Sequence, residues 1–213
     1  MLSTDGYGAG EGQSLERPFG HADPAALASW AGATAHWPGR TDPGGSLGLD
    51  YYCTRDFANN IGAEIMGRNK FGPQRGPWTD DGWKGWWGDD PVFHTPVFVL
   101  THYPRPSLEM DGGTTFHFVT DGFDAAFEQA TAVAGDRGVD IAGGASTVRQ
   151  ALAAGVVDEL TLDIAPVLLG EGERLFDGLA GLGLTPVETL HSPHATHVRY
   201  RVERRSGAAQ PAQ

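Results

Sequence analysis

Two adjacent glycines, Gly143-Gly144, stand between an apolar run and a helical pattern, and they are the first candidates for ligand chemistry. A strand that ends in glycine and opens a helix aims backbone N–H groups at the carboxyl edge of a sheet, where a pyrophosphate can approach because no Cβ intervenes. Ala145 follows the pair, and Ser146 and Thr147 add hydroxyl donors. The same glycines also fit a plain tight turn between strand and helix.

Cations and hydrogen-bond donors follow two other predicted strands. The groups after these strands are Gly67, Arg68 and Asn69, and then Thr101, His102 and Arg105. Guanidinium groups bind phosphate oxygens in bidentate geometry. Together with the glycine pair, these residues predict an NADPH site. The phosphate that NADPH carries and NADH lacks would lie at the ends of neighbouring strands. Taken singly, each arginine also fits a solvated surface position.

Charge and cysteine content exclude several classes of protein. The 15 Lys and Arg against 27 Asp and Glu give a net charge of −12, which repels phosphate backbones, so no nucleic-acid partner is expected. The lone Cys53 allows no internal disulfide framework, and the residues after Met1 lack the basic and apolar segments of a secretion signal. No apolar stretch approaches the roughly 20 residues that span a bilayer. We therefore expect a cytoplasmic protein with a small-molecule substrate and no membrane partner.

Hydrophobic periodicity predicts an α/β fold that could position these residues. Helical patterns cover residues 25–31, 50–60, 123–134 and 145–154. Strand patterns cover residues 61–66, 97–100, 115–119, 139–142, 160–169, 184–190 and 196–202. In the first part of the chain the strands are separated by helices, whereas the last strands follow one another directly. This order favours a mixed sheet with helices on both faces. We expect one domain over residues 1–205 and a disordered tail over 206–213.

The segment 73–91 reads as a long irregular excursion that carries four tryptophans, Trp78, Trp83, Trp86 and Trp87. They fit an apolar wall for a flat ring, a dimer patch, or a satellite cluster under a long loop. Three histidines near the end of the chain suggest metal binding at first sight; they are His191, His194 and His197. On a strand, a spacing of three puts the middle one on the opposite face, so no metal site is predicted.

Five motifs resemble the successive signatures of the dihydrofolate reductase superfamily. They lie at residues 3–6 (Ser-Thr-Asp-Gly), 65–72 (Ile-Met-Gly-Arg-Asn-Lys-Phe-Gly), 141–146 (Ile-Ala-Gly-Gly-Ala-Ser), 157–160 (Val-Asp-Glu-Leu) and 166–176 (Pro-Val-Leu-Leu-Gly-Glu-Gly-Glu-Arg-Leu-Phe). More narrowly, the chain resembles the stand-alone branch similar to the C-terminal reductase domain of the bifunctional riboflavin-biosynthesis deaminase–reductase. The resemblance covers most of residues 1–178.

The resemblance implies a dihydrofolate reductase-like three-layer fold, with a central mixed, mostly parallel sheet flanked by helices. It implies NADPH extended across the strand ends, a substrate ring stacked on the nicotinamide, and a homodimer. Two departures stand out. Riboflavin-pathway reductases usually place a Glu directly before the glycine pair, where this chain has Ala142. The family also opens with a central strand of several residues, whereas this chain offers only Met1-Leu2. A first strand this short would leave unpaired backbone groups between two buried strands. We therefore expect the true start of the chain to lie upstream.

Hydride transfer requires donor and acceptor carbons within about 3–3.5 Å and a proton for the heteroatom. In the folate enzymes a carboxylate that orients the pterin lies on the helix before the Gly-Arg strand, and Asp50 lies at nearly the matching place. Asp5, on the loop expected to cover the nicotinamide, is the second catalytic candidate. The competing interpretations are that Asp50 caps its helix and that Asp5 forms a turn beside Gly6.

The sequence thus favours an NADPH-dependent reductase that acts on a small pteridine-like or pyrimidine-like heterocycle. An alternative is a binding or pathway-accessory protein that keeps the fold without reduction, because the sequence singles out no one proton donor and Ala142 replaces the usual glutamate. A third is 5-amino-6-(5-phosphoribosylamino)uracil reductase of riboflavin biosynthesis, which Ala142 disfavours.

Overall fold

The structure is a computed structural model that describes residues 1–35, 44–55, 58–80 and 82–203. The strands in these ranges are β1 (Leu2–Ser3), β2 (Ile61–Gly67), β3 (Pro96–Leu100), β4 (Leu108–Glu109), β5 (Thr115–Val119), β6 (Gly138–Gly143), β7 (Glu159–Ala165), β8 (Gly183–His191) and β9 (Thr196–Glu203). The helices are α1 (Pro24–Gly32), α2 (Leu49–Arg55), α3 (Arg68–Phe71), α4 (Gly122–Ala134) and α5 (Ala145–Ala154). The predicted tail lies outside the described residues.

The strands form two sheets. The larger has the order β4-β5-β3-β2-β6, in which only the short β4 is antiparallel to its neighbour. The smaller has the order β1-β7-β9-β8, with β1 parallel to β7 and β9 antiparallel to both of its neighbours. The mixed, mostly parallel arrangement flanked by helices is confirmed, but it is divided in two.

The division falls between β6 and β1 because β1 has only two residues. Leu2 and Ser3 pair with Ile164 and Ala165 of β7, and within the described residues no ladder joins β1 to β6. The gap that the short first strand predicts is therefore present. One carbonyl of β6, that of Ala142, accepts a hydrogen bond from the Lys70 side chain.

The two faces of β2 pack against different layers, as the alternation of a strand requires. Ala63 and Ile65 are fully buried against α4 and α5, in a cluster that includes Phe98 of β3. On the opposite face, Met66 packs against Phe71 of α3 and the aromatic residues of the following segment. The carboxyl end of β2 is thus held between two cores.

Three of the four tryptophans, Trp78, Trp83 and Trp87, pack against this second core, whereas the Trp86 side chain is 38% exposed. Trp83 also donates from Nε1 to the Phe71 carbonyl at 3.0 Å. Of the three interpretations of this segment, a cluster packed beneath a long loop describes Trp83 and Trp87. In the described residues 72–80 and 82–95 the chain forms no helix or strand.

Several predicted boundaries are wrong. β7 ends at Ala165 instead of residue 169, because Pro166 has no N–H to donate to a ladder. α2 begins at Leu49, so Asp50 lies within the first turn instead of capping the helix, and α2 ends at Arg55 within the described residues. The short helix α3 is not predicted at all. No helix in the described ranges is long and apolar enough to cross a membrane.

Candidate functional site

The carboxyl ends of β2 and β6 meet at three glycines. Met66 pairs with Gly143, and the Gly143-Gly144 peptide bond is cis. A Cβ on Gly67 would lie 2.6 Å from the Thr147 Oγ1 atom and 3.7 Å from the Gly144 nitrogen. Since 2.6 Å is shorter than real Cβ contacts, position 67 leaves no room for a side chain. The structure thus brings together the Gly67 turn and the glycine pair, which the sequence predicts to converge.

Helix α5 starts at the glycine pair without a side-chain cap. The Gly144 carbonyl accepts the Thr147 N–H at 3.0 Å, while Gly143 has a φ of 106° and open space where a Cβ would be. Ala145 is buried and can offer a ligand only its backbone N–H, whereas Ser146 is exposed. This first turn carries the positive end of the helix dipole and fits an anion.

The two arginines predicted to bind phosphate lie on the same indole ring. The Arg68 Cζ is 3.8 Å from the Trp78 ring centroid, and the Arg105 Cζ is 5.1 Å from it. Arg68 donates from Nη1 to the Gly76 carbonyl at 2.6 Å, but its Nε and Nη2 atoms are buried without a hydrogen-bond partner among the described residues. Burial lowers the pKa of Arg68, and the charges of Arg75 and Arg105 lower it further.

The loop after β3 is shaped by Thr101. This side chain is buried, and its Oγ1 accepts the Tyr103 N–H at 3.2 Å and lies 3.3 Å from the Tyr103 carbonyl. That carbonyl also accepts the Trp78 Nε1–H at 2.9 Å. His102 is exposed beside it. Of the two predicted donors, Thr101 is engaged in the loop and His102 is accessible to a ligand.

A polar cluster that the sequence reasoning missed lies over the glycine pair. A Cβ on Gly144 would lie 3.6 Å from Glu173 Oε2, and Glu173 Oε1 accepts the Asn69 Nδ2–H at 3.0 Å. The Asn69 Oδ1 atom accepts a hydrogen bond from Arg75 Nη1, and Gln13 Oε1 lies 3.5 Å from Asn69 Nδ2. Glu173 lies in the motif at residues 166–176, so this motif could have indicated Glu173 as a site residue from the sequence.

A second missed cluster is ionic. Glu64 and Asp140 lie side by side on β2 and β6, and Lys70 Nζ donates to the Ala142 carbonyl at 2.6 Å. Burial raises the pKa of Glu64 to about 8, and Asp140 adds to this while Lys70 opposes it. Burial lowers the pKa of Lys70, against the attraction of Glu64 and Asp140. The signal was a glutamate inside an apolar run.

Asp50 is buried and bonded to a histidine. Its Oδ1 lies 3.0 Å from His197 Nε2, and His197 Nδ1 lies 2.9 Å from Asp163 Oδ1. Burial by itself would lower the pKa of His197, but its hydrogen bonds to Asp163 and Asp50 outweigh burial and raise it. The Trp30 ring meets the imidazole edge-on at 4.9 Å. Asp50 therefore takes part in a buried Asp–His–Asp network.

The three histidines do not share one strand, contrary to the assumption behind the spacing argument. His191 ends β8, His194 lies in the connection, and His197 lies on β9. In the part of the chain that the structure describes, no group of three or more His, Cys, Asp or Glu residues could hold a metal ion.

Asp5 holds the late loop that carries Glu173. Its Oδ2 accepts the Gly170 N–H at 2.7 Å, both oxygens lie within 3.2 Å of the Leu169 nitrogen, and Oδ1 accepts the Ser3 hydroxyl at 2.6 Å. The Ser3 hydrogen bond lowers the pKa of Asp5 to about 2, with help from the Gly170 and Leu169 amides and against burial. An Asp with this pKa is ionised at neutral pH, which favours the turn-forming interpretation over proton donation.

Comparison with known proteins identifies the family. The family model described as the RibD C-terminal domain matches residues 1–198. No curated protein matches the chain. A crystal structure described as that of a riboflavin biosynthesis protein from Shewanella sp. PV-4 is 20% identical, with a TM-score of 0.57, and the match covers 95% of this chain and 96% of that one. At this identity the likeness shows the fold.

Two further solved structures have lower TM-scores. A pyrimidine reductase-like protein from Corynebacterium diphtheriae is 19% identical, with a TM-score of 0.46 and coverage of 82% of this chain and 88% of that one. The riboflavin biosynthesis reductase of Saccharomyces cerevisiae is 15% identical, with a TM-score of 0.48 and coverage of 72% and 80%.

Proposed function

The chain belongs to the RibD C-terminal domain family, and we propose that it is an NADPH-dependent reductase that transfers a hydride to a small pteridine-like or pyrimidine-like nitrogen heterocycle. The family makes it an oxidoreductase of the riboflavin-reductase type. The observation that supports the proposal is the close approach of Gly67 to the start of α5, where a Cβ on Gly67 would lie 2.6 Å from Thr147 Oγ1 and 3.7 Å from the Gly144 nitrogen, because it brings two strand ends and a helix N-terminus together.

The residues present fit a dinucleotide phosphate. The backbone N–H groups of residues 143–145 and the Ser146 hydroxyl would hold the diphosphate at the open first turn of α5. Arg68, Arg105 and His102 would hold the extra phosphate, and the buried Nε and Nη2 atoms of Arg68 supply an unused donor edge for it. When bound, NADPH supplies the hydride.

The proton for the substrate heteroatom has candidates in this chain other than the two aspartates. Asp5 is ionised at neutral pH, and Asp50 is bonded to His197. Lys70 Nζ donates a hydrogen bond to the carbonyl of Ala142, the residue directly before the glycine pair. Glu64 is buried on β2, and burial raises its pKa to about 8, so that it keeps a proton near neutral pH. We propose this pair as the proton source.

A second candidate function is a small-molecule binding protein without reduction. The engagement of both Asp5 and Asp50 within the fold favours it. The two proposals differ in whether NADPH is bound and oxidised, because only the reductase requires both.

The test begins with ligand-induced stabilisation, because a ligand that binds only the folded state raises the melting temperature. NADPH is expected to raise it more than NADH, and Arg68→Ala is expected to reduce the NADPH effect most. Arg201→Ala, an exposed arginine of β9, is the matched control. Equal stabilisation by both nucleotides would remove the proposed role of Arg68.

Oxidation of NADPH is then followed by its absorbance with a panel of pterins and aminopyrimidines. Turnover with any of them supports the reductase. Binding of NADPH without oxidation across the panel supports the non-reducing alternative, and no binding of either nucleotide overturns the reductase and favours that alternative.

A further inference from the structure

Trp78 is fixed in place from several sides. Its Nε1–H donates to the Tyr103 carbonyl at 2.9 Å, and its ring meets Phe71 and Phe118 edge-on at centroid distances of 6.0 and 5.2 Å. These partners belong to the loop after β3, to α3 and to β5. The indole is therefore a rigid platform that joins three segments at the carboxyl ends of the larger sheet.

Two guanidinium groups lie against this platform. Arg68 stacks at 3.8 Å, and Arg105 lies 5.1 Å from the same ring and 5.3 Å from Phe118. The negative face of an aromatic ring attracts cations and offsets part of their mutual repulsion. The two guanidinium groups therefore lie side by side on one aromatic platform.

Stacking on an aromatic ring uses the face of a guanidinium group and not its hydrogen-bonding edge. A planar guanidinium uses its π face on the indole while its N–H groups point outward in the plane of the group. For Arg68, one Nη1–H reaches the Gly76 carbonyl, and the Nε and Nη2 edge has no partner among the described residues. That edge has the geometry for a bidentate contact with two oxygens of a phosphate monoester.

We propose that Trp78 is a positioning residue that holds Arg68 and Arg105 together as a paired site for a phosphate monoester, and thereby sets the preference for adenosine that carries a 2′-phosphate. The identity of the ligand rests on the proposed function; the paired site itself rests on the contacts above. Two cations add little binding energy for an uncharged ribose hydroxyl, whereas a phosphate dianion is attracted by both of them. Loss of the platform should therefore affect the phosphorylated ligand selectively.

Calorimetric titration of NADPH and NADH into wild-type protein and variants tests this proposal. Wild-type protein is expected to bind NADPH at least about tenfold more tightly than NADH, and Trp78→Leu is expected to lower that ratio by about tenfold with little change for NADH. Trp78→Phe keeps an aromatic face and should retain most of the preference. Trp86→Leu is the control, because this exposed tryptophan contacts Trp83 and neither arginine.

The outcomes separate the two proposals. A ratio that is unchanged in Trp78→Leu, or an equal loss for both nucleotides, overturns the positioning role. A wild-type protein that turns over with NADH and shows no preference overturns this inference and leaves the reductase standing. Saturable binding of adenosine 2′-monophosphate without turnover of any substrate supports the phosphate site while the reductase fails.

Folding of each variant is checked by its far-ultraviolet circular dichroism and its melting temperature without ligand. Should Trp78→Leu fail to fold, Arg68→Lys carries the test, because lysine keeps the charge but neither stacks nor binds bidentately. It is expected to lose the preference for NADPH, and an unchanged preference in Arg68→Lys overturns the proposal.

Discussion

Thr147 lies so close to Gly67 that a methyl group at position 67 would stand 2.6 Å from the threonine Oγ1. One residue ends β2 and the other lies in the first turn of α5, so this contact fixes the end of a central strand against the start of a helix. The distance between Gly67-Arg68 and Gly143-Gly144 is limited by this close approach.

Gly67→Ala is therefore expected to destabilise the protein by about 1–3 kcal/mol, as overpacking does in close-packed sites. It should also weaken NADPH binding, because the strand end and α5 must move apart. Denaturant unfolding and calorimetric titration measure the two effects. Gly48→Ala is the control, since a Cβ there meets nothing within 4 Å.

The cause of the Gly67→Ala effect can be tested by a second substitution. Thr147→Ala removes the Oγ1 atom, so the double variant should recover much of the lost stability. Independent, additive effects of the two substitutions would show that this contact is not the source of the strain.

Glu173→Gln is expected to tighten NADPH binding several-fold. The Glu173 carboxylate lies 3.6 Å from where a Gly144 Cβ would be, and a negative charge there repels a bound diphosphate. The amide keeps the hydrogen bond from Asn69. Glu171→Gln, an exposed neighbour on the same loop, should leave the dissociation constant unchanged. Weaker binding in Glu173→Gln would instead mean that the carboxylate itself contacts the ligand.

Glu64 should make stability fall as the pH rises. Its pKa is raised from the ordinary value of 4.5 to about 8, so the folded state holds a proton that the unfolded state releases in this window. The free energy of unfolding should decline by up to about 1.4 kcal/mol per pH unit between these values. Glu64→Gln should remove the part of that decline that comes from Glu64 and so make it shallower, whereas the exposed Glu128→Gln should not change it. The measurement is denaturant unfolding at pH 5 to about 9.

The stabilisation that His197 contributes also decreases as the pH rises, but here the cause is the loss of a positive charge. Its pKa is raised by Asp163 and Asp50 against burial, so the stabilising imidazolium is fully present below the ordinary pKa and is lost as the pH rises through the raised value. His197→Asn should destabilise the protein by roughly 3 kcal/mol at low pH, because two carboxylates are left facing each other. The loss should shrink as the pH rises, and a pH-independent loss contradicts the charged network.

Asp5→Asn tests the loop-holding role. Hydrogen exchange at the Leu169 and Gly170 amides should accelerate in the variant, because the carboxylate accepts both N–H groups. In wild-type protein this protection should hold above the ordinary pKa of 3.8 and weaken as the pH falls towards about 2. Asp124→Asn, an exposed residue of α4, is the control. Unchanged exchange in Asp5→Asn would leave the loop held by other contacts.

The strand–glycine–helix unit could be predicted from sequence because its signals are local. The apolar run of β6, the glycine pair and the helical spacing of α5 lie within adjacent residues, and the structure places them within a residue or two of the prediction. The Trp-rich segment has no such period, so sequence left its three interpretations open, and only the tertiary structure shows that Trp83 and Trp87 pack against the core that contains Phe71 and Met66.

The sequence by itself determined the order of the longer strands and helices, though not α3 or β4, together with the glycine positions and the excess of negative charge, since each depends on residue type and near neighbours. Tertiary structure alone decided that Asp50 meets His197, that Asp5 holds Gly170, and that Glu173 lies over Gly144. The partners of Asp50 and Asp5 are 147 and 165 residues away along the chain. No local pattern specifies such pairs, because they follow from how the two sheets and their loops pack.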